Sequence, residues 1–318
     1  MDRKKIPIDL VLITDEVEVS KKFSIRETNS EGMSKEDAFT VYQTLCNICR
    51  SVIWLQGYKE FAKNPSRFTN NIIFSMYFGE AKRSSKSLIP AICEANNLKY
   101  IGADSYTHML CNDKHTAKKF AKDFGLCVPR GFLVHNSDLD YQYSLEALTF
   151  PLVVKPNFGG GSNGIGKINL CKTSKQVLEL VAELTQFQDM PILVEEYIEG
   201  RELEVILFGN ARMIHISDEV QILNEGKEYF TDWIWGLEDK KIDDSHVEFR
   251  HCNLLSDNDK HKCINLFTAL SKVEYMRIDF REKNGNIFLV ELSPDSYLGL
   301  DGGFSFLLAL VALIIEIV

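Results

Sequence analysis

The chain has 318 residues, 45% of them hydrophobic and 25% charged, and its 36 Lys and Arg against 45 Asp and Glu give a formal charge of −9. That balance suits a globular chain of two or three packing units and argues against a nucleic-acid partner, which selects a basic face. The charged start Met1-Asp2-Arg3-Lys4-Lys5 and the short, partly polar Ile6–Ile13 do not form a signal peptide, so a cytoplasmic location is expected. In chain order, Ile6–Ile13 reads as a strand apolar enough for burial in a parallel sheet. Lys35–Lys59 reads as one helix with Leu45, Ile48 and Val52 on a single face. It carries Cys46 and Cys49, read as reduced thiols and not as half of a zinc site, because no second pair lies at zinc spacing. Asn71–Tyr77 is a second strand, Ser87–Asn96 a second helix, and Tyr100-Ile101-Gly102 a short strand. Strands alternating with helices predict an open α/β domain here.

Asp113–Phe124 then reads as a helix closed by Gly125. Gly131–Val134 and Phe150–Lys155 read as strands, the second leading into a glycine-rich turn. Lys167–Leu170 reads as a strand and Ser174–Leu184 as a helix capped by Thr173 or Ser174. Two strands, Ile192–Glu196 and Glu202–Phe208, flank a charged bend. An aromatic loop at Tyr229–Trp235 precedes a helix at Asp259–Lys272. A hairpin of Tyr275–Arg281 and Ile287–Leu292 follows, turning at Lys283-Asn284-Gly285-Asn286. The apolar run Phe304–Ile315 is about 12 residues long where a membrane span needs about 20, so it reads as a buried helix or an oligomer contact.

Three clusters carry chemistry. Pro156-Asn157-Phe158-Gly159-Gly160-Gly161-Ser162-Asn163-Gly164-Ile165-Gly166 holds five glycines in eight residues between two strands. Such a loop lets backbone N–H groups approach an anion closely. It lacks the Gly-Lys-Ser/Thr of a P-loop and does not open a helix, which weighs against dinucleotide-dependent oxidoreductase chemistry. Lys155, at the end of the preceding buried strand, calls for an anion beside it. In the second cluster, Glu195-Glu196-Tyr197-Ile198-Glu199-Gly200-Arg201-Glu202, carboxylates at strand ends are able to accept from an amino group or from sugar hydroxyls. In the third, side chains alternate along each strand, so Arg277 and Asp279 share a face, as do Glu291 and Ser293. Facing carboxylates need a cation between them: either Mg²⁺ completed by phosphate oxygens, or Arg277 in a structural ion pair.

In order and spacing these segments resemble the D-alanine–D-alanine ligase branch of the ATP-grasp superfamily. The resemblance is carried by FPLVVKP (Phe150–Pro156), GSNGI (Gly161–Ile165), VEEYIEGRELEV (Val194–Val205), RIDF (Arg277–Phe280) and VELSPDSYL (Val290–Leu298). YIGA (Tyr100–Ala103) and CNDKHTAK (Cys111–Lys118) look like the entry to the family's central domain. The resemblance implies an α/β ATP-grasp fold with an α+β central lid. Its domains would be an open N-terminal α/β domain at 1–105, the lid at 106–200 and a metal-binding C-terminal domain at 201–318. It also implies an ATP- and Mg²⁺-dependent ligase, with Mn²⁺ as a substitute, that joins an amino-acid or small-peptide carboxylate to an amine through an acyl phosphate. No membrane partner follows, and relatives are commonly homodimers. By resemblance, Lys114 and Lys155 contact ATP phosphates, and the Gly161-Ser162 loop closes over them. Glu195 meets the adenine amino group, with Glu196 beside it. The Ile198 backbone meets the ring, and Glu202 the ribose. Asp279, Glu291 and Ser293 bind metal, and Arg277 stabilises the reacting oxygens. Ser293 stands where the family has Asn, Gly161 replaces one of its paired loop serines, and the lysine of its aromatic loop has no counterpart in Thr231–Trp235. Asp295–Gly303 also departs from the cell-wall ligases. These departures support an alternative, a degenerate ATP-grasp protein that binds nucleotide for regulation or scaffolding.

Overall fold

The most apolar strand of the N-terminal region, β1 (Ile6–Thr14), buries Leu10, Val11, Leu12 and Ile13 completely, which requires cover on both of its faces. The computed structural model describes residues 5–16, 34–79, 83–135, 141–162, 164–187, 190–210, 213–236 and 246–296. Helix α1 (Lys35–Ile48) starts at Ser34, whose side chain accepts from the Asp37 N–H. It ends well before the expected Lys59. Cys49–Gln56 is strand β2, and a short helix α2 (Lys59–Lys63) follows. The reason lies in Val52-Ile53-Trp54-Leu55, β-branched and aromatic residues that suit a pleated surface and pair in parallel with Leu10–Ile13. Cys49 therefore lies on a strand, not on the helix with Cys46. Both are free thiols, and burial pushes Cys49 up to about 11. Strand β3 (Ile72–Met76), helix α3 (Leu88–Ala95) and strand β4 (Lys99–Ile101) complete a parallel sheet of order β2-β1-β3-β4.

Two helices meet at Asp113: α4 (Ser105–Asn112), which has no counterpart in the expected elements, and α5 (Lys114–Lys122). Asp113 caps α5 by accepting from the Thr116 N–H. Next come β5 (Gly131–Val134), α6 (Gln142–Glu146), β6 (Leu152–Pro156), β7 (Leu170–Cys171), α7 (Ser174–Phe187) and β8 (Ile192–Glu196). They form an antiparallel sheet of order β5-β8-β6-β7, with Val177, Leu180, Val181 and Leu184 of α7 in its core. Thr173 proves to be the cap of α7, its hydroxyl accepting from the Gln176 N–H at 3.3 Å. The strand expected at Lys167–Leu170 is a 3₁₀ turn over Lys167–Asn169 followed by the two residues of β7. The Asn169 side chain bends the chain there by accepting from the Gly166 N–H and donating to the Val154 and Gly164 carbonyls.

The last sheet contains β9 (Arg201–Asn210), β10 (Met213–Asn224), β11 (Val247–His251), β12 (Tyr275–Lys283) and β13 (Asn286–Pro294), in the order β11-β10-β9-β12-β13. Strands β10 and β11 extend it beyond the expected hairpin. Helix α8 (Asp257–Ala269) begins two residues before the expected start, because Ser256 accepts from the Asp259 N–H. Asn284 and Gly285, both at positive φ, make the anticipated hairpin turn. One face of this sheet, with Leu203, Val205, Met276, Ile278 and Phe280, packs on Leu266 and Phe267 of α8 and on Ala117 and Ala121 of α5. Alternation puts Glu202, Glu204, Arg277, Asp279 and Arg281 on the other face. Phe304–Ile315 and the end of Asp295–Gly303 lie outside the described residues. Among the described residues, no helix is long and apolar enough to cross a membrane.

Candidate active site

The glycine-rich turn is a shaped loop, not a slack one. Gly159, Gly161 and Gly164 hold positive φ, as does Ser162 at 58°, which an L residue adopts only when its surroundings impose it. Ser162 Oγ donates to the Trp235 carbonyl at 3.0 Å, tying the loop to the aromatic segment. At its base, Asn157 donates to Asp113 at 2.8 Å and accepts from the His115 N–H, while Asn112 accepts from the Gly159 N–H at 2.9 Å. These contacts lock the junction of α4 and α5 to the loop. They also bring the buried Lys114 ammonium against the Gly159 carbonyl.

Lys155 finds its anion within the chain. Its ammonium lies 2.7 Å from Glu195 on the neighbouring strand β8, and Lys118 pairs with the other Glu195 oxygen. All three groups are buried. Burial works against charge at each of them. At Glu195 the two ammoniums outweigh it and hold the carboxyl below its ordinary value, and at Lys155 the carboxylate outweighs it and raises the pKa. At Lys118 burial wins, helped by the Lys155 charge, and depresses the ammonium to about 7. An unfolded chain keeps this proton up to about pH 10.4, so between about pH 7 and 10 the unfolded state binds more protons and stability rises with pH. Lys118→Met is expected to remove about 2 kcal/mol of the stability gained between pH 7 and pH 9. Urea unfolding of wild type and variant at the two pH values measures that difference.

Glu196, next along β8, points the opposite way, accepting from the Thr149 N–H at 2.8 Å with Arg130 at 3.6 Å. The turn from β8 to β9, which contains Ile198, is fastened to the aromatic loop. Gly200 and Phe230 exchange backbone hydrogen bonds, and the Tyr197 hydroxyl donates to the Trp233 carbonyl at 2.9 Å. Behind the turn, Arg281 sits 2.5 Å from Glu202 with its guanidinium against Tyr197, Phe230 and Trp233 at 5.3, 5.5 and 6.0 Å. Burial and the nearby Asp279 charge raise the Glu202 pKa in spite of Arg281.

On the hairpin, Asp279 is directly opposite Glu291 and Arg277 directly opposite Ser293. The four side chains that the sequence placed on two shared faces thus meet on one. Arg277 forks onto both Asp279 oxygens at 2.6 and 2.9 Å and reaches Glu204 at 3.3 Å, so the structural ion pair weighed above is formed. Glu291 lies 3.7 Å from Lys114. Burial opposes its charge, but Lys114, Lys155, Lys86 and Arg277 outweigh that and keep its pKa low. Among the described residues no set of three or more His, Cys, Asp or Glu is arranged to hold a metal unaided. Two facing carboxylates that leave most positions to phosphate and water oxygens fit Mg²⁺, and the loop with its buried ammoniums fits a polyphosphate.

Sequence reasoning assigned no role to Lys118, Glu204, Arg281, Asn157 or Asn169. Alternation could have found Glu204 beside Glu202 and Arg281 beside Asp279, and Lys118 lies one helical turn beyond Lys114. The asparagines carry no local signal.

Residues 121–295 match the family model described as the D-ala D-ala ligase C-terminus. An uncharacterized protein of Sinorhizobium fredii is 26% identical over 237 residues, 72% of this chain and 67% of its own length. A D-alanine–D-alanine ligase of Bacillus anthracis is 25% identical over 224 residues, 70% of this chain and 69% of its own. The fold is shared with the crystal structure of the Bacillus anthracis D-alanine–D-alanine ligase complexed with ATP. The TM-score is 0.67 at 18% identity, over 91% of this chain and 86% of that one.

Proposed function

The chain belongs to the D-alanine–D-alanine ligase-like family of ATP-grasp carboxylate–amine ligases, and on that premise we propose that it joins the carboxylate of an amino acid or small peptide to an amine at the expense of ATP, with Mg²⁺ as the metal. The observation that carries the reading is the meeting of three parts: the shaped glycine loop, the buried ammoniums of Lys114 and Lys155, and the facing carboxylates Asp279 and Glu291. Residues 1–105, 106–200 and 201–318 are proposed as its three domains.

Bound ATP would supply its γ-phosphoryl group to the carboxylate substrate, giving ADP and an acyl phosphate, from whose acyl carbon an amine would displace phosphate. The residues would act mainly by position and charge, because the barrier is charge build-up on the transferring oxygens. Lys114 and Lys155 would hold phosphate oxygens, and the Gly161-Ser162 backbone would cover them and exclude water. Glu195 would accept from the base amino group beside the Ile198 backbone, with Glu196 at the rim, and Glu202 would accept from the ribose. Asp279 and Glu291 would hold Mg²⁺, with the Ser293 hydroxyl as a weaker donor, and Arg277 would stabilise the developing negative charge.

The test is ADP formation by the purified chain with Mg·ATP over a panel of amino acids and dipeptides. ADP and product that both depend on an amine-bearing acceptor are expected. ADP absent for every pair, with ATP binding demonstrated, would favour the second reading of a nucleotide-binding protein without turnover. Ser293 favours that reading, since it stands opposite Arg277 with a shorter donor than Asn. Under it, Ser293→Asn would restore turnover.

A further inference from the structure

Glu202-Leu203-Glu204 sends two carboxylates to one face of β9 and Leu203 into the core. Pairing of β9 with β12 sets Glu204 directly opposite Asp279, and pairing of β12 with β13 sets Asp279 opposite Glu291. Three carboxylates therefore stand in a row across adjacent strands, at the strand spacing of about 5 Å. Such a row repels itself unless cations lie over it. Arg277, two residues along β12 on the same face, supplies one by forking onto Asp279 and reaching Glu204 at 3.3 Å; Lys114 supplies another beside Glu291.

This arrangement sets a competition. Both Asp279 oxygens are engaged by the guanidinium, and a divalent cation arriving between Asp279 and Glu291 meets a like charge already there. Arg277 has to release Asp279 without leaving the site, because its partly buried guanidinium, 29% exposed, loses compensation when it is parted from its carboxylates. Glu204 is the anchor available. It is only 4% exposed, already bonded to the Nη1 end of the guanidinium, and separated from Glu291 by the width of β12. Resting on the ligase reading, we propose that Glu204 is a positioning residue: it holds Arg277 beside the reacting oxygens when Asp279 turns to the metal.

The test is a double-mutant cycle on the full chain, read as Mn²⁺ affinity by electron paramagnetic resonance in the presence of a non-hydrolysable ATP analogue. Glu204→Gln leaves Arg277 with Asp279 alone, so the Mn²⁺ dissociation constant is expected to rise about ten-fold. In an Arg277→Gln background, where the guanidinium no longer competes for Asp279, the same change should shift it by less than about three-fold, the residue of simple charge loss. Glu204→Asp, which keeps the charge on a shorter arm, should recover part of the wild-type affinity and guards against a mere packing defect. Equal shifts with and without Arg277 would overturn the proposal by making Glu204 a metal ligand or a purely structural group. No shift at all, or no Mn²⁺ binding by the wild type, would overturn it as well. A wild type that binds Mn²⁺ and nucleotide but forms no product would instead remove the ligase reading and leave the outcome of the cycle intact.

Discussion

Glu291→Gln is expected to lower the rate of ADP formation about 10³-fold while nucleotide binding changes little. The amide has the shape of the carboxylate, so β13 and its pairing with β12 remain, and the loss isolates the charge. That charge sits opposite Asp279 and 3.7 Å from Lys114, and four cations keep it ionised against burial. An amide holds a divalent cation poorly and removes the carboxylate charge beside Lys114, so the loss should appear in turnover and in the metal concentration needed for half-maximal rate. Nucleotide affinity should be nearly unaffected, because the base and ribose contacts proposed for Glu195 and Glu202 are made elsewhere. Steady-state rates with Mg²⁺ titrated at saturating ATP measure both quantities. A variant within ten-fold of wild type would remove Glu291 from the metal site.

Glu195→Gln is expected to cost about 3 kcal/mol of folding stability, near the low end for breaking one partner of a buried ion pair. The carboxylate is the anion shared by Lys155 and Lys118. Without it two buried ammoniums face each other across a neutral amide. Lys118, already depressed to about 7, loses its proton and relieves part of that repulsion; Lys155 remains charged and underpaired. The fall should show as a lower urea midpoint at unchanged slope. It should also grow as pH drops from 8 to 6, because the wild type, which keeps the anion, takes up the Lys118 proton in that range, whereas the variant, without the anion, does so only at lower pH. A midpoint that does not move would mean that the triad contributes nothing to stability.

Much of the candidate site was legible because strand alternation is a strict rule. Arg277 and Asp279, or Glu291 and Ser293, share a face in any strand, and Asn284-Gly285 fixed the hairpin that pairs them. The long helix expected over Lys35–Lys59 failed for the opposite reason. Three apolar residues at helical spacing say little where β-branched and aromatic residues have an open strand edge to pair with, and the decision between helix and β2 was made by β1, some forty residues away.

By itself the sequence determined the family, the order of the chemical groups along the chain and the faces that carry them, since these follow from residue type and local period. Only the tertiary structure decided what each charge is paired with. Lys155, which the sequence left in want of an anion, has Glu195; Arg277 bridges Asp279 and Glu204; Arg281 lies among three aromatic rings against Glu202. A buried charge is stabilised by whatever lies within a few ångströms of it, and that neighbour comes from another strand whose register no local pattern encodes.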